Sequence, residues 1–424
     1  MKLGFMKIVL LKTSVPFLAT LLFGCTNASI LVAQTLPAQN WVGSWATSQQ
    51  IPEPQNALAP DDLRDATLRQ IVHLSVGGAT LRVHLSNAFG TQPLHLTSVH
   101  IAKPLSTSEA KIDPATDKAL KFSGNADVTI PAGAEYLSDP IDFPVAPLSS
   151  LAVSIHFDAP PSQQTGHPGS RATSHLVHGD AVSATDLPEA KKFDHWYQLS
   201  AIDVVAPTKA ASVVALGDSI TDGHGATTNG NDRWTDVLAA HLQSSAKTKS
   251  IGVLNQGIGG NHLLTDGLGP NVLARFDRDV LAQPGVRWVI VLEGVNDLGG
   301  LTRLSDPPQA EQDAFVQRII ASYEQVIARA HAAHIQVFGA TILPYTGSDY
   351  YHPPPSNEAD RQEINQWIRA PGHFDAVIDF DKALSDPKHP DHLAVAFDSG
   401  DHLHPSPAGY RAMGNLIPLS LFKH

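Results

Sequence analysis

Three residues of this chain, Ser219, Asp401 and His404, are of the types that together break an ester or amide bond. Ser219 lies in Ala215-Leu216-Gly217-Asp218-Ser219-Ile220-Thr221, where an apolar run stops abruptly at glycine, aspartate and serine. Open α/β sheets hold their reactive groups at the carboxyl ends of strands, which is where such a run would leave a nucleophile. A serine hydroxyl attacks poorly at neutral pH. It needs an imidazole to take its proton and a carboxylate to fix the tautomer of that imidazole. Asp401-His402-Leu403-His404-Pro405 supplies both: a spacing of three across a turn brings the Asp and His side chains near each other, and Pro405 stiffens the chain just after His404. His402 competes for the role, although adjacent residues tend to point apart. Taken singly, Ser219 reads as a turn residue and 401–404 as the approach to a helix; taken together they read as a catalytic triad.

Four blocks in a fixed order extend this reading. They are Gly217-Asp218-Ser219, a glycine block Asn255-Gln256-Gly257-Ile258-Gly259-Gly260-Asn261, the segment Glu293-Gly294-Val295-Asn296-Asp297, and the terminal Asp401-x-x-His404. In these the sequence resembles the SGNH/GDSL hydrolases. The resemblance assigns a backbone oxyanion donor to Gly260, with Gly259 as the nearby alternative, a side-chain amide donor to Asn296, and a structural role to Asp297. With the Ser219 amide, these donors would meet the negative charge that grows on a carbonyl oxygen under attack. Arg233-Trp234, the stretch Gly339-Ala340-Thr341-Ile342-Leu343-Pro344 and residues 375–381 are similar to a two-domain subgroup with acetylxylan-esterase-like members. Gly43-Ser44-Trp45-Ala46 and Leu85-Ser86-Asn87 extend that likeness, less specifically, to the front of the chain.

The resemblance implies acyl-ester hydrolysis through an acyl-enzyme, without cofactor or metal, on a small-molecule or polysaccharide ester such as the O-acetyl groups of plant polysaccharides or oligosaccharides. A broad-specificity lipolytic or aryl esterase is the nearest alternative. A non-catalytic carbohydrate-binding protein with a vestigial hydrolase fold is a third reading, which the intact blocks oppose. The α/β-hydrolase elbow Gly-x-Ser-x-Gly is broken by Thr221, and there is neither a full Gly-x-Gly-x-x-Gly nor a P-loop lysine.

The elements that must position these residues fall into two kinds. Between residues 41 and 202 the pattern repeatedly has period two: Leu81, Val83 and Leu85 alternate with Arg82 and His84, and Leu151, Val153, Ile155 and Phe157 alternate with Ala152, Ser154 and His156. Such alternation marks half-buried strands. Gly77-Gly78, residues 87–90 and 131–133, and Pro160-Pro161 break them up, predicting an antiparallel β-sandwich over 38–205. Past an Ala/Pro/Thr-rich stretch at 205–209 the rhythm becomes α/β. Runs at 212–216, 286–292, 336–343 and 376–380 suit a parallel sheet covered on both faces. Trp234, Val237, Leu238 and Leu242 share one helical face, as do Phe315, Ile319, Tyr323, Val326, Ile327 and Ala330, and Ser406-Pro407 opens the last helix. The expectation for 210–424 is a three-layer α/β/α, flavodoxin-like SGNH-hydrolase domain.

Composition bounds the rest. At 424 residues, 42% hydrophobic and 17% charged, the chain is long and apolar enough for two cores. Lys2, Lys7 and Lys12 precede an apolar run at 15–23 that is too short to span a bilayer, so 1–35 reads as an export leader and linker. Leu22-Phe23-Gly24-Cys25 resembles a lipobox. The expectation is thus an exported protein, secreted, periplasmic or tethered to a membrane through a lipidated Cys25. Cys25 is the only cysteine, which excludes an internal disulfide and, in the processed chain, a thiolate nucleophile or cysteine-based zinc site. A net charge of −12 argues against nucleic acid as a partner. Among 21 histidines, His73, His84 and His100 would face solvent from neighbouring strands rather than gather a metal, and Trp41, Trp45 and Trp196 read as core packing before sugar stacking.

Overall fold

The alternating stretches of the first half pair as the period-two pattern requires. In the computed structural model, which describes residues 39–305 and 307–423, they form two antiparallel sheets. One runs Trp41–Ala46, Leu199–Val205, Gly78–Ser86, Glu135–Leu137, with Ile141–Val145 also on Gly78–Ser86. The other runs Lys191–Phe193, Ser174–His178, Ala66–His73, Ser150–Phe157, Ser98–Ala102, Lys118–Ala119. Leu81, Val83 and Leu85 from the first sheet and Leu68, Val72, Leu151, Val153 and Ile155 from the second are buried in one shared core. Trp45 and Trp196 join it edge to face at 4.9 Å, so neither ring is offered to a ligand. The export leader and Cys25 fall on residues 1–38, outside the described residues.

The second half is a five-stranded parallel sheet in the order Ile251–Gly257, Ala211–Gly217, Val286–Leu292, Gln336–Ala340, Ala376–Ile378. Apolar runs in the sequence mark four of these strands. The fifth, Ile251–Gly257, is hidden because Gly252, Asn255 and Gln256 interrupt it. The last two strands also stop sooner than their apolar runs, at Ala340 and Ile378, since the residues beyond continue inward as buried loop and helix start. Trp234–Gln243 packs with the final helix Pro407–Leu416, and Gln309–Ala332 packs with Pro355–Arg369. Ser406 caps the final helix through the Gly409 amide, with Pro407 in the first turn where its missing N–H costs nothing. Among the described residues, no helix is long and apolar enough to cross a membrane.

Two features of this frame set up a site. Gly217 pairs with Gly257 on one side and Leu292 on the other, so three strands end level with one another. The segments that follow them, 218–219, 258–261 and 293–297, therefore emerge side by side. Second, the front half lies directly on the sheet edge: a Cβ on Gly252 would stand 2.0 Å from the Gly43 carbonyl oxygen, so only glycine allows that approach. The Gly43 amide donates to the Pro284 carbonyl at 3.2 Å, the Val253 amide to the Ser75 hydroxyl at 2.9 Å, and residues 39–424 form one compact unit.

Candidate active site

Asp218 starts the short helix Ser219–Asp222 by accepting the Ile220 amide at 2.9 Å, and Gly223 ends it in the left-handed region at φ 105°. This one-turn helix sets Ser219 at the sheet's carboxyl edge. Its hydroxyl lies 2.8 Å from Nε2 of His404, and Nδ1 of His404 lies 2.6 Å from Oδ2 of Asp401. The other Asp401 oxygen accepts the amides of Leu403 at 3.0 Å and His404 at 2.8 Å, and the Ser399 hydroxyl at 3.0 Å. Burial works to raise the Asp401 carboxyl, but the hydrogen bonds from the His404 ring and amide outweigh it and hold the group well below the usual carboxylate range. An ionised, anchored carboxylate fixes Nδ1 of His404 as a donor and leaves Nε2 to face the hydroxyl. His402 turns the other way and pairs with Asp398 at 2.6 Å.

The glycine block and the Asn296 segment arrive beside this chain of hydrogen bonds. Gly260 sits at φ 64°, a conformation that favours glycine, and among the described residues its amide has no hydrogen-bond partner. Gly259 and Gly260 both line the cavity that also holds Ser219, Asn296 and His404. Nδ2 of Asn296 donates to the Asn261 carbonyl at 2.7 Å, while its Oδ1 accepts the Tyr351 hydroxyl at 2.6 Å. A carbonyl only accepts, so this pair of contacts fixes the amide orientation and leaves one Nδ2 hydrogen uncommitted. Asp297 binds the Leu263 and Leu264 amides at 2.9 and 3.0 Å, tying the end of the glycine block to the Asn296 segment. The cavity measures about 520 Å³, and Leu268, Tyr350, Tyr351, Leu403 and Arg303 complete its walls.

Residues 215–412 match the family described as GDSL-like lipase/acylhydrolase. That segment is a GDSL-type acylhydrolase domain, and the protein is a carboxylic ester hydrolase. Solved structures similar to it include a G-D-S-L family protein from Desulfitobacterium hafniense, 26% identical over 49% of this chain and 97% of that one, at a TM-score of 0.37. A GDSL-like lipase from Bacteroides thetaiotaomicron is 19% identical over 50% and 87% at 0.36, and an acetyl xylan esterase variant from Geobacillus stearothermophilus is 22% identical over 48% and 91% at 0.37. No curated protein matches the chain.

Beneath the GDSL site runs a layer of buried charge that the sequence did not announce. Arg275 donates to the Gly217 carbonyl at 3.0 Å, the Gln256 carbonyl at 2.6 Å and Oδ1 of Asn261 at 2.7 Å, clamping two strand ends and the glycine turn together. Asp279, 3.0 Å away, pairs with it and, at 2.6 Å, with Arg278. Asp218 is pushed up to about 7 by burial and by Asp297 and Asp222, against the pull of Ile220 and Arg275, and burial with Asp218 raises Glu293 well above the carboxylate range. Both shifts favour the protonated form of these carboxyls, which limits repulsion beneath Ser219.

His224 is a second imidazole at the esterase site. Its ring centroid lies 4.1 Å from that of His404 and its Nε2 lies 3.9 Å from Asp401. Arg171, from the front half, donates to its Nδ1 at 2.9 Å. Burial and the charges of His404 and Arg171 push His224 down to about 4, so it is neutral at ordinary pH. His224, Asp401 and His404 bring three potential metal ligands within 4.8 Å of one another. Two of them, Asp401 and His404, are already engaged with each other and with Ser219, and the third, His224, accepts from the Arg171 guanidinium. The histidines of the front strands do not assemble. His84 bonds Asp203 at 2.6 Å and Glu135 at 2.8 Å, His100 bonds Asp117 at 2.9 Å, and His73 faces Ser150 at 3.4 Å. His84 is buried rather than solvated, because the two carboxylates give it a charged partner inside. Tyr351, Arg171 and Arg275 carry no motif or periodicity, and only folding brings them to the site; His224 follows Ser219 by five residues, outside the four blocks.

Proposed function

We propose that this protein is an exported serine esterase that removes short acyl groups, chiefly O-acetyl, from plant polysaccharides or oligosaccharides. The unbroken Asp401–His404–Ser219 hydrogen-bond chain opening on a cavity carries the catalytic part of this reading. As Ser219 Oγ attacks the ester carbonyl, Nε2 of His404 takes its proton and Asp401 stabilises the resulting imidazolium. The carbonyl oxygen becomes an oxyanion, met by the Ser219 amide, the Gly260 amide and the free Nδ2 hydrogen of Asn296. The imidazolium then protonates the departing alkoxide, leaving the acyl group on Ser219. Water attacks the acyl-enzyme as His404 accepts its proton, and that proton returns to Ser219 as the acid leaves.

The glycan substrate is supported by the likeness of both halves of the sequence to the two-domain subgroup. Export, and any tether through Cys25, rest on the leader sequence; mass spectrometry of the mature N-terminus distinguishes a cleaved chain from a lipidated Cys25. The wide apolar wall of Leu268, Leu403 and Tyr351 favours, as a second reading, a broad-specificity lipolytic or aryl esterase. One experiment addresses both. Turnover is measured on acetylated xylan and on acetyl through octanoyl p-nitrophenyl esters, for the wild type and for folded Ser219→Ala and His404→Ala. The expected result is preference for acetyl, cleavage of the xylan, and loss of roughly 1,000-fold or more in both variants. Wild-type rates in either variant would refute the triad, and a preference for octanoyl without xylan cleavage would replace the glycan reading by the lipolytic one.

A further inference from the structure

We propose that the front β-half builds the subsite for the alcohol half of the ester, and that this subsite is made for a polyhydroxylated group. The inference rests on the esterase reading of Ser219. A second cavity, of about 210 Å³, meets the first at Ser219, and most of its wall comes from the front half: Gln50, Glu53, Asn56 and Arg171, with His224 opposite.

The chemistry of that wall differs from that of the larger cavity. Glu53 accepts Nε2 of Gln50 at 3.1 Å on one oxygen and Nδ2 of Asn56 at 2.8 Å on the other. Each oxygen has accepting capacity left, and among the described residues no cation pairs with this carboxylate. Gln50 is held in turn: its amide also donates to the Leu268 carbonyl at 3.2 Å, and its backbone bridges Gly166. Arg171 supplies the opposite character. It stands at φ 47°, its carbonyl accepts the Asn229 amide at 2.8 Å, and its Nη2 reaches His224. Its Nε is buried with no partner among the described residues. The wall therefore presents fixed acceptors at Glu53 and the edge of the Arg171 guanidinium across from them.

A hydroxyl both donates and accepts, so a ring bearing several of them matches this arrangement. An anionic group would be repelled by Glu53, and a hydrocarbon would leave the polar groups of this wall unpaired. The position fits a leaving alcohol: His224 lines this cavity and its ring lies against that of His404, the group that must protonate the alkoxide. The acyl half then faces the larger cavity with Leu268, Leu403 and Tyr351.

The test compares kcat/KM on acetylated xylo-oligosaccharides with kcat/KM on p-nitrophenyl acetate, whose alcohol has no further hydroxyls. The proteins are the wild type, Glu53→Gln and Asn56→Ala, each checked for an unchanged melting temperature. Asn56 holds Tyr197 only through its main-chain carbonyl, so its side chain can be removed without losing that contact. The oligosaccharide-to-aryl ratio should fall about tenfold in each variant, the scale of one hydrogen bond to a charged group. An unchanged ratio in both folded variants overturns the subsite while leaving the esterase reading intact. Wild-type enzyme that cleaves p-nitrophenyl acetate but no acetylated oligosaccharide overturns the glycan reading and the subsite with it, and wild-type enzyme inactive on both overturns the esterase reading.

Discussion

Replacing Tyr351 by phenylalanine tests how the Asn296 donor is aimed. Asn296 and Tyr351 are 3% and 5% exposed, and the tyrosine hydroxyl donates to Oδ1 of Asn296 at 2.6 Å. Burial first, then the neighbouring Tyr350, raises the Tyr351 hydroxyl well above its ordinary range, so it remains a neutral donor at every working pH. Removing it leaves a buried amide oxygen unpaired, at about 1–3 kcal/mol of stability. The amide then keeps only its 2.7 Å bond to the Asn261 carbonyl and is free to tilt. Complete loss of an oxyanion donor costs about 100- to 1,000-fold in rate. A donor that is present but loosely held should cost less, about tenfold in kcat, or ~1.4 kcal/mol of barrier. KM should change little, because the interaction is made in the transition state. Four enzymes, the wild type, Tyr351→Phe, Asn296→Ala and the double variant, are assayed for kcat and KM on p-nitrophenyl acetate, with melting temperatures as the folding control. If Tyr351 acts through Asn296, the double variant is no slower than Asn296→Ala. Wild-type kcat in Tyr351→Phe, or losses that multiply in the double variant, would refute the reasoning. Wild-type kcat in Asn296→Ala would instead remove Asn296 from the oxyanion site.

Two further outcomes follow from buried charge. Burial alone would lower His84, but Asp203 and Glu135 raise it to about 9, above its value in an unfolded chain. Its contribution to stability, of the order of 3 kcal/mol, is therefore complete below pH ~6.5 and is lost as pH rises through about 9; denaturant titrations of wild type and His84→Gln across pH 6 to 10 should converge at the alkaline end, and parallel curves would contradict this. Arg275→Met should destabilise by about 1–3 kcal/mol for each buried acceptor it leaves unpaired, the Gly217 and Gln256 carbonyls and Oδ1 of Asn261, while Asp279 keeps Arg278 as its partner; a melting temperature within a degree of wild type would show that the clamp is dispensable.

The sequence singled out the candidate side chains because each stands in a local pattern. Ser219 ends an apolar run, Asp401 and His404 share one turn, and the glycine block and the Asn296 segment stand at strand ends. The strand Ile251–Gly257 was not legible, since its glycine and amide residues break the apolar signal. Those same residues let the front half approach at Gly252 and let Asn255 hold the Thr221 carbonyl at 2.7 Å. Tertiary contact overrode propensity there.

Taken alone, the sequence determined which chemistry is available and on which kinds of element it sits, because spacing and periodicity are properties of a chain and survive without coordinates. Folding decided which unmarked residues surround that chemistry. Tyr351 behind Asn296, Arg275 under the glycine turn, and Arg171 and Glu53 reaching in from the front half lie far along the chain from the side chains they serve. Their positions follow from how the sheets pack, and no local rule of sequence encodes a contact made across that distance.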